Sequence, residues 1–117
     1  MLNKPTTLIH YLDSTHAAIT ATGVSEVMRV TSGAFIATLH VNLASGTTPT
    51  LACEVKYSMN GDNWFAAGTA QTFTTATTTG DYEAKVTWIP EGPLMRVDYT
   101  VTGAAASFDC SLVVIEF

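Results

Sequence analysis

The stretch that decides the fold is Ser45-Gly46-Thr47-Thr48-Pro49-Thr50-Leu51, and a weaker copy of it occurs at Thr102-Gly103-Ala104-Ala105-Ala106-Ser107-Phe108. In both places, a run of alternating apolar and polar residues enters a turn of small residues. A second alternating run that contains a cysteine then leaves it. Alignment of Gly46 with Gly103 also aligns Cys53 with Cys110. Glycine-containing turns between alternating runs are typical of β-hairpins, so the two stretches predict two similar hairpins.

Alternation of apolar and polar residues predicts strands that are dry on one face and wet on the other. The Thr-rich segment 69–79 fits either an edge strand or a long loop, because threonine favours strands but the segment has little pattern. Helix is nearly absent, and Asp13 to Ala18 is expected to form only a short turn. The predicted strands are 35–43, 51–59, 82–88, 95–101 and 108–114. Their shared parity predicts a core that includes Leu39, Val41, Val55, Val86, Trp88, Val97, Tyr99 and Leu112.

The fold class expected from these patterns is all-β, an antiparallel β-sandwich, Ig-like or jelly-roll-like, built from hairpins and carrying an N-terminal arm. A chain of 117 residues is one domain long. The first thirty residues differ from the rest because their apolar residues show no sustained period. Residues 1–30 are therefore predicted to be either an arm that docks on a neighbouring subunit or an edge strand, and residues 31–117 the sandwich domain.

Composition excludes several functions. Only 13% of the residues are charged, which fits a surface partly covered by neighbours because interface cores are depleted in charge. The five basic residues are scattered along a chain of net charge −5, so we expect no nucleic-acid binding. No apolar run is long enough to cross a membrane, and the first residues lack the apolar core of a signal peptide. We therefore expect synthesis in the cytoplasm of the producing cell.

Catalytic, cofactor-binding and metal-binding residues are not predicted. His10 and His16 are six residues apart in an irregular segment, and His40 lies on the polar face of a strand, so a metal site is not indicated. No serine or threonine occurs in a recognisable nucleophile motif, and an enzyme is not expected. Cys53 and Cys110 are predicted to be buried free thiols, with a disulfide between them as the alternative.

Residues that break the wet-and-dry pattern indicate a partner interface. Val113, Ile115 and Phe117 make the second face of the last strand apolar, so that face needs cover from a partner subunit or from the N-terminal segment of the same chain. Trp64 follows an Asn-Gly turn, where an aromatic residue either anchors a partner or caps the core. The candidate interface residues are Leu8, Ile9, Tyr11, Leu12, Trp64, Phe65, Val113, Ile115 and Phe117.

Three stretches carry a family resemblance. They are Ala44-Ser45-Gly46-Thr47-Thr48-Pro49-Thr50-Leu51, the turn Asn60-Gly61-Asp62-Asn63-Trp64 that follows Tyr57-Ser58, and Met95-Arg96-Val97-Asp98-Tyr99-Thr100-Val101-Thr102-Gly103 with Ser107-Phe108. With these, residues 34–115 resemble the small all-β virion structural proteins of tailed bacteriophages, of the capsid decoration or cement type.

The resemblance implies a protein that decorates and stabilises the capsid by binding at capsomer junctions on the outside of the virion. Its implied partners are the major capsid protein and further copies of itself, with a trimer favoured because three capsomers meet at quasi-three-fold junctions. It implies no cofactor and no catalytic residue. The alternative function is a β-sandwich of a tail or fibre that binds carbohydrate or a host receptor through Trp64 and Phe65.

Overall fold

Seven antiparallel strands form the molecule in the computed structural model, which describes residues 6–83 and 87–117. The strands are β1 (Thr6–Tyr11), β2 (Gly23–Val24), β3 (Met28–Arg29), β4 (Phe35–Ser58), β5 (Phe65–Ala66), β6 (Gly80–Glu83) and β7 (Leu94–Glu116). No helix occurs in the described ranges, which confirms the all-β class. It follows that these residues contain no helix long and apolar enough to cross a membrane.

Two long strands dominate the sheet. β4 has 24 residues and β7 has 23, and they pair along their whole length from Phe35 opposite Glu116 to Ser58 opposite Leu94. β1 pairs with the C-terminal part of β7, while β2 and β3 pair with its N-terminal part. β6 and β5 pair with the first and last parts of β4. Every other element is therefore attached to the β4–β7 pair.

The two glycine stretches of the sequence are bends in these long strands. Gly46 has a φ of 113° and Gly103 a φ of 108°, and a second residue with positive φ follows each glycine two positions later, Thr48 and Ala105. The β4–β7 register shifts at the same place, between Ser45 and Thr47 and again before Thr50. Bulges of this kind bend a strand and increase its twist.

The predicted hairpins are therefore wrong. The chain on both sides of Gly46 pairs with β7, and the chain on both sides of Gly103 pairs with β4. The same local chemistry, glycine at positive φ among small residues, suits a hairpin turn and a bulge equally well. The two glycine stretches pair with each other instead, because this joins all four alternating runs in one β4–β7 ladder and places the two bends opposite each other.

In the part of the chain that the structure describes, one curled sheet encloses the core in the form of a half-barrel, and an Ig-like or jelly-roll-like arrangement of two separate sheets is not seen there. Inward residues of both halves of β4 and β7 face each other across the bend. Leu39, Val41, Val55, Val97 and Leu112 are buried as predicted. Tyr99 is only partly buried, and Val86 lies outside the described residues. Trp88 is buried as predicted and packs edge-on against Phe35 and Phe73.

The N-terminal segment is part of this domain. β1 is an edge strand, which was the alternative to an arm, and Leu12, Ile19 and Met28 contribute buried side chains to the core. The predicted turn at Asp13 is present without a helix. The Asp13 carboxylate accepts hydrogen bonds from the backbone N–H groups of Thr15 at 2.9 Å and Ala17 at 3.3 Å. Among the described residues, side chains from both sides of residue 30 pack in one core.

The Thr-rich segment is an irregular edge beside the C-terminal part of β4. The Val55 N–H donates to Gln71 O at 2.9 Å, and the Phe73 N–H donates to Cys53 O at 3.1 Å. The segment continues to Ala76, which exchanges two backbone hydrogen bonds with Leu51. These bonds cover the edge of β4 without forming a regular strand. Of the predicted strand 82–88, Tyr82 and Glu83 belong to β6, Trp88 forms an isolated bridge with Phe35, and residues 84–86 lie outside the described part.

Candidate functional site

The outer surface of the half-sheet that contains β1 carries a group of apolar side chains beside the polar outward residues Thr7, Thr38 and Ser111. Ile9 lies opposite Val113 in the β1–β7 ladder, and Ile36 lies opposite Ile115 in the β4–β7 ladder. Ile9 is 60% exposed and Phe117 is 57% exposed. This surface is called the outer apolar face below, and it comprises Ile9, Tyr11, Ile36, Val113, Ile115 and Phe117.

Five of the nine predicted interface residues therefore come together on this face. The sixth member, Ile36, was missed, although its signal was present as an apolar residue at an outward position between Phe35 and Ala37. Leu8 and Leu12 do not belong to the face, because they have the inward parity and Leu12 is buried. β1 pairs with the edge of β7 and widens the face with Ile9 and Tyr11, and the His16 ring stacks on Tyr11.

Trp64 and Phe65 lie elsewhere, at the other end of β4. The Trp64 indole N–H donates to Gly61 O at 3.2 Å, and the Arg96 guanidinium carbon lies 4.5 Å from the centroid of the Trp64 ring. A cation over the ring is a stabilising contact, and it covers one face of the indole. Trp64 is therefore half-buried against the sheet surface, while Phe65 beside it is exposed.

The outer surface of this second half-sheet is charged. Arg96 Nε donates to Asp98 Oδ1 at 2.7 Å, and Lys56 Nζ lies 3.6 Å from Asp98 Oδ2 and 3.9 Å from Glu54 Oε1. All four side chains are partly buried on the sheet. Two cations and two carboxylates compensate each other, so this group has little net charge and a fixed arrangement.

The histidines and cysteines do not converge. His40 Nδ1 lies 2.6 Å from Asp81 Oδ1 on the surface, and the His16 ring stacks on Tyr11. Burial lowers the pKa of His10, while the Glu116 and Glu26 carboxylates act in the opposite direction. Within residues 6–83 and 87–117, no group of three or more His, Cys, Asp or Glu side chains is placed to hold a metal ion.

Both cysteines are buried free thiols, which confirms the prediction. Burial raises the pKa of Cys53 to about 12, and the nearby Cys110 raises it further. Burial also raises the pKa of Cys110 to about 11, with a smaller contribution from Asp109. Because the thiolate is the reactive form, neither side chain is a nucleophile near neutral pH.

The fold has a counterpart among solved structures. It is similar to the crystal structure of SPBc2 prophage-derived protein YomS, with a TM-score of 0.55 over 98% of this chain and 96% of that chain. The two sequences are 12% identical over this match, so the similarity concerns the fold alone. No family model matches the chain, and no curated protein sequence matches it.

Proposed function

We propose that this chain is a phage virion structural protein that decorates the outside of the capsid and stabilises it by binding at capsomer junctions. The observation that carries the proposal is the outer apolar face. A contiguous apolar surface on a soluble domain marks an interaction site more often than isolated apolar residues do. The face is presented by three neighbouring strands, so its shape is held by the β1–β7–β4 ladders.

The chemistry of the face suits a protein partner. None of its six side chains is charged, and depletion of charge is the compositional mark of an interface core. The fold shared with YomS, which is prophage-derived, supports a phage origin for this chain. The resemblance of residues 34–115 to capsid decoration proteins supports the outside of the capsid as the place of binding. In this proposal the chain acts by binding and carries out no reaction.

The proposed partners are the major capsid protein and further copies of this chain, with the trimer as the favoured assembly. A trimer at a three-fold junction presents three copies of the outer apolar face at once. Linked contacts raise the overall affinity well above that of a single contact. One modest face per copy is then sufficient for stable attachment.

The test is binding of purified protein to empty capsids, measured by co-sedimentation. The variant Ile9→Glu places a charge in the outer apolar face, and Met59→Glu is the matched control because Met59 is 70% exposed and directly follows β4 at the end far from Ile36. We expect the wild type and Met59→Glu to saturate capsids and Ile9→Glu to fail. Equal binding by both variants would show that the outer apolar face does not contact the capsid.

Antibody labelling of virions in the electron microscope tests the location. Decoration requires label over the whole head. Label confined to the tail would overturn the capsid proposal and favour a tail or fibre protein.

A further inference from the structure

The charged half of the sheet also carries a groove, which is separate from the outer apolar face. It has a volume of about 710 Å³ and is lined by four neighbouring segments of chain. Thr22 comes from the β2 side, Thr100 from β7, Ala52 from β4 and Thr72 from the Thr-rich segment. A volume of this size is within the range of sites for small ligands, about 300–1,000 Å³. The small side chain of Ala52 is part of the lining that the sheet contributes.

Threonine hydroxyls supply much of the lining. The Thr22 hydroxyl is used internally, because it accepts a hydrogen bond from the Val101 N–H at 3.0 Å. Thr72, Thr75 and Thr100 also line the groove, and all three are exposed. Each hydroxyl can donate one hydrogen bond and accept others. The groove therefore offers several neutral donors and acceptors.

One end of the groove is lined by Glu54, Lys56 and Asp98. Lys56 lies within 4 Å of both carboxylates, at 3.9 Å from Glu54 and 3.6 Å from Asp98. Arg96 holds Asp98 from the side through the 2.7 Å hydrogen bond. A carboxylate has about four lone-pair sites, so each group keeps acceptors for a ligand after these contacts. The cations fix the carboxylates and cancel their charge.

We propose that this groove binds a neutral oligosaccharide. A ligand rich in hydroxyl groups can both donate to the oriented carboxylates and exchange hydrogen bonds with the threonines. A strongly charged ligand gains little, because the ionic groups already compensate each other. A peptide strand cannot add to the sheet here, because β2 and the Thr-rich segment occupy the neighbouring edges of β7 and β4.

The inference goes beyond the proposed capsid role, since the groove and the outer apolar face are on different halves of the sheet. The internal repeat makes this contrast plain. When Gly46 is aligned with Gly103, Lys56 of the groove corresponds to Val113 of the outer apolar face. At this equivalent position the two halves therefore differ, with a charged side chain in one and an apolar side chain in the other.

The experiment is an NMR titration of the full chain with neutral hexasaccharides of glucose, mannose, galactose and N-acetylglucosamine. We expect at least one of them to saturate the protein and to shift the amide signals of Ala52, Thr72 and Thr100. Asp98→Asn should weaken that binding by about tenfold or more, the loss expected when a charge-assisted hydrogen bond is removed. Asp109→Asn is the matched control, because Asp109 lies on the outer surface of the other half beside Asn42.

Ala52→Trp is a second variant, which fills the groove and leaves the ionic group in place. It should abolish binding while its amide spectrum stays that of a folded protein. The proposal is overturned if no hexasaccharide saturates the protein or if the shifted signals lie outside the groove. It is also overturned if Asp98→Asn and Ala52→Trp, both folded, bind as tightly as the wild type.

Discussion

Single residues decide where the long strands bend. An added Cβ on Gly46 would lie 2.8 Å from Ala105 O, and one on Gly103 would lie 2.8 Å from Thr47 O. Each glycine is therefore pressed against the backbone of the opposite bend while it holds a φ that other residues rarely adopt. The two bends accommodate each other, and a side chain at either glycine disturbs both.

Gly46→Ala is accordingly expected to lower the free energy of unfolding by about 2 kcal/mol or more, from backbone strain and from contact with the facing backbone. Urea denaturation followed by circular dichroism measures this change. Gly33→Ala is the control, because a Cβ at Gly33 meets no atom within 4 Å. If both variants are equally stable, the close approach of the two bends is not a source of constraint.

The buried thiols predict a loss of stability at alkaline pH. The pKa of Cys53 is about 12 in the folded protein, against an ordinary value of 9.0, so the unfolded chain loses this proton first as the pH rises. The contribution of Cys53 to the free energy of unfolding should therefore be independent of pH below pH 9.0 and decrease as the pH rises from 9.0 to about 12. Burial raises the pKa of Cys110 and Tyr57 in the same direction.

Urea denaturation as a function of pH measures the effect, and Cys53→Ala tests its cause. The variant should lose less stability than the wild type between neutral and alkaline pH, even though its stability at neutral pH is lower. An identical alkaline loss in both proteins would show that Cys53 does not contribute.

Individual elements show how far the sequence predicts this fold. Period-2 alternation correctly assigns inward residues such as Leu39 in β4 and Leu112 in β7, but it also places Leu43 and Met59 inward, and these are 60% and 70% exposed. The register shift between Val41 and Leu43 interrupts the alternation in β4. Alternation cannot assign partners, because the same alternation suits a local hairpin and a long-range ladder. The outer apolar face was foreseen where apolar residues broke the alternation, as at Val113. The groove was not, because Thr22, Ala52 and Thr72 meet only through long-range pairing.

The inward assignment leads to a test in β4. Leu39 is 0% exposed and Leu43, in the same strand, is 60% exposed. Leu39→Ala should lower the free energy of unfolding by about 2–5 kcal/mol through lost burial and a cavity. Leu43→Ala should change it by about 0.5 kcal/mol or less, as expected of a surface position. Similar costs for the two variants, measured by urea denaturation, would contradict the buried position of Leu39 and the exposed position of Leu43.

The whole molecule is held together by strands that belong to both of its halves. β4 and β7 each pass through the bend, so neither half can lose its pairing without disturbing the ladder of the other. The two halves also share the core. Trp88 contacts Phe35, which lies in the half that contains β1, and Phe73, which lies beside the charged half. We therefore expect a single cooperative unfolding transition.

The two tryptophans report on this expectation. In Trp88→Phe the remaining Trp64 reports on the charged half, and in Trp64→Phe the remaining Trp88 reports on the Phe35 side. Within each variant, the fluorescence midpoint in urea should coincide with the midpoint from circular dichroism. A fluorescence transition that precedes the loss of circular dichroism would indicate halves that unfold separately.

The register of the sheet also fixes how the molecule resists mechanical force. Thr6 and Glu116 are directly opposite each other, so pulling these two positions apart opens the β1–β7 ladder one pair at a time. Phe35 and Leu94 lie at opposite ends of the β4–β7 ladder, so pulling on them loads all of its hydrogen bonds together in shear. One sheet is therefore weak in one direction of pull and strong in another. If a virus particle applied force to this domain along β4 and β7, the force would act in the direction in which the sheet resists more strongly.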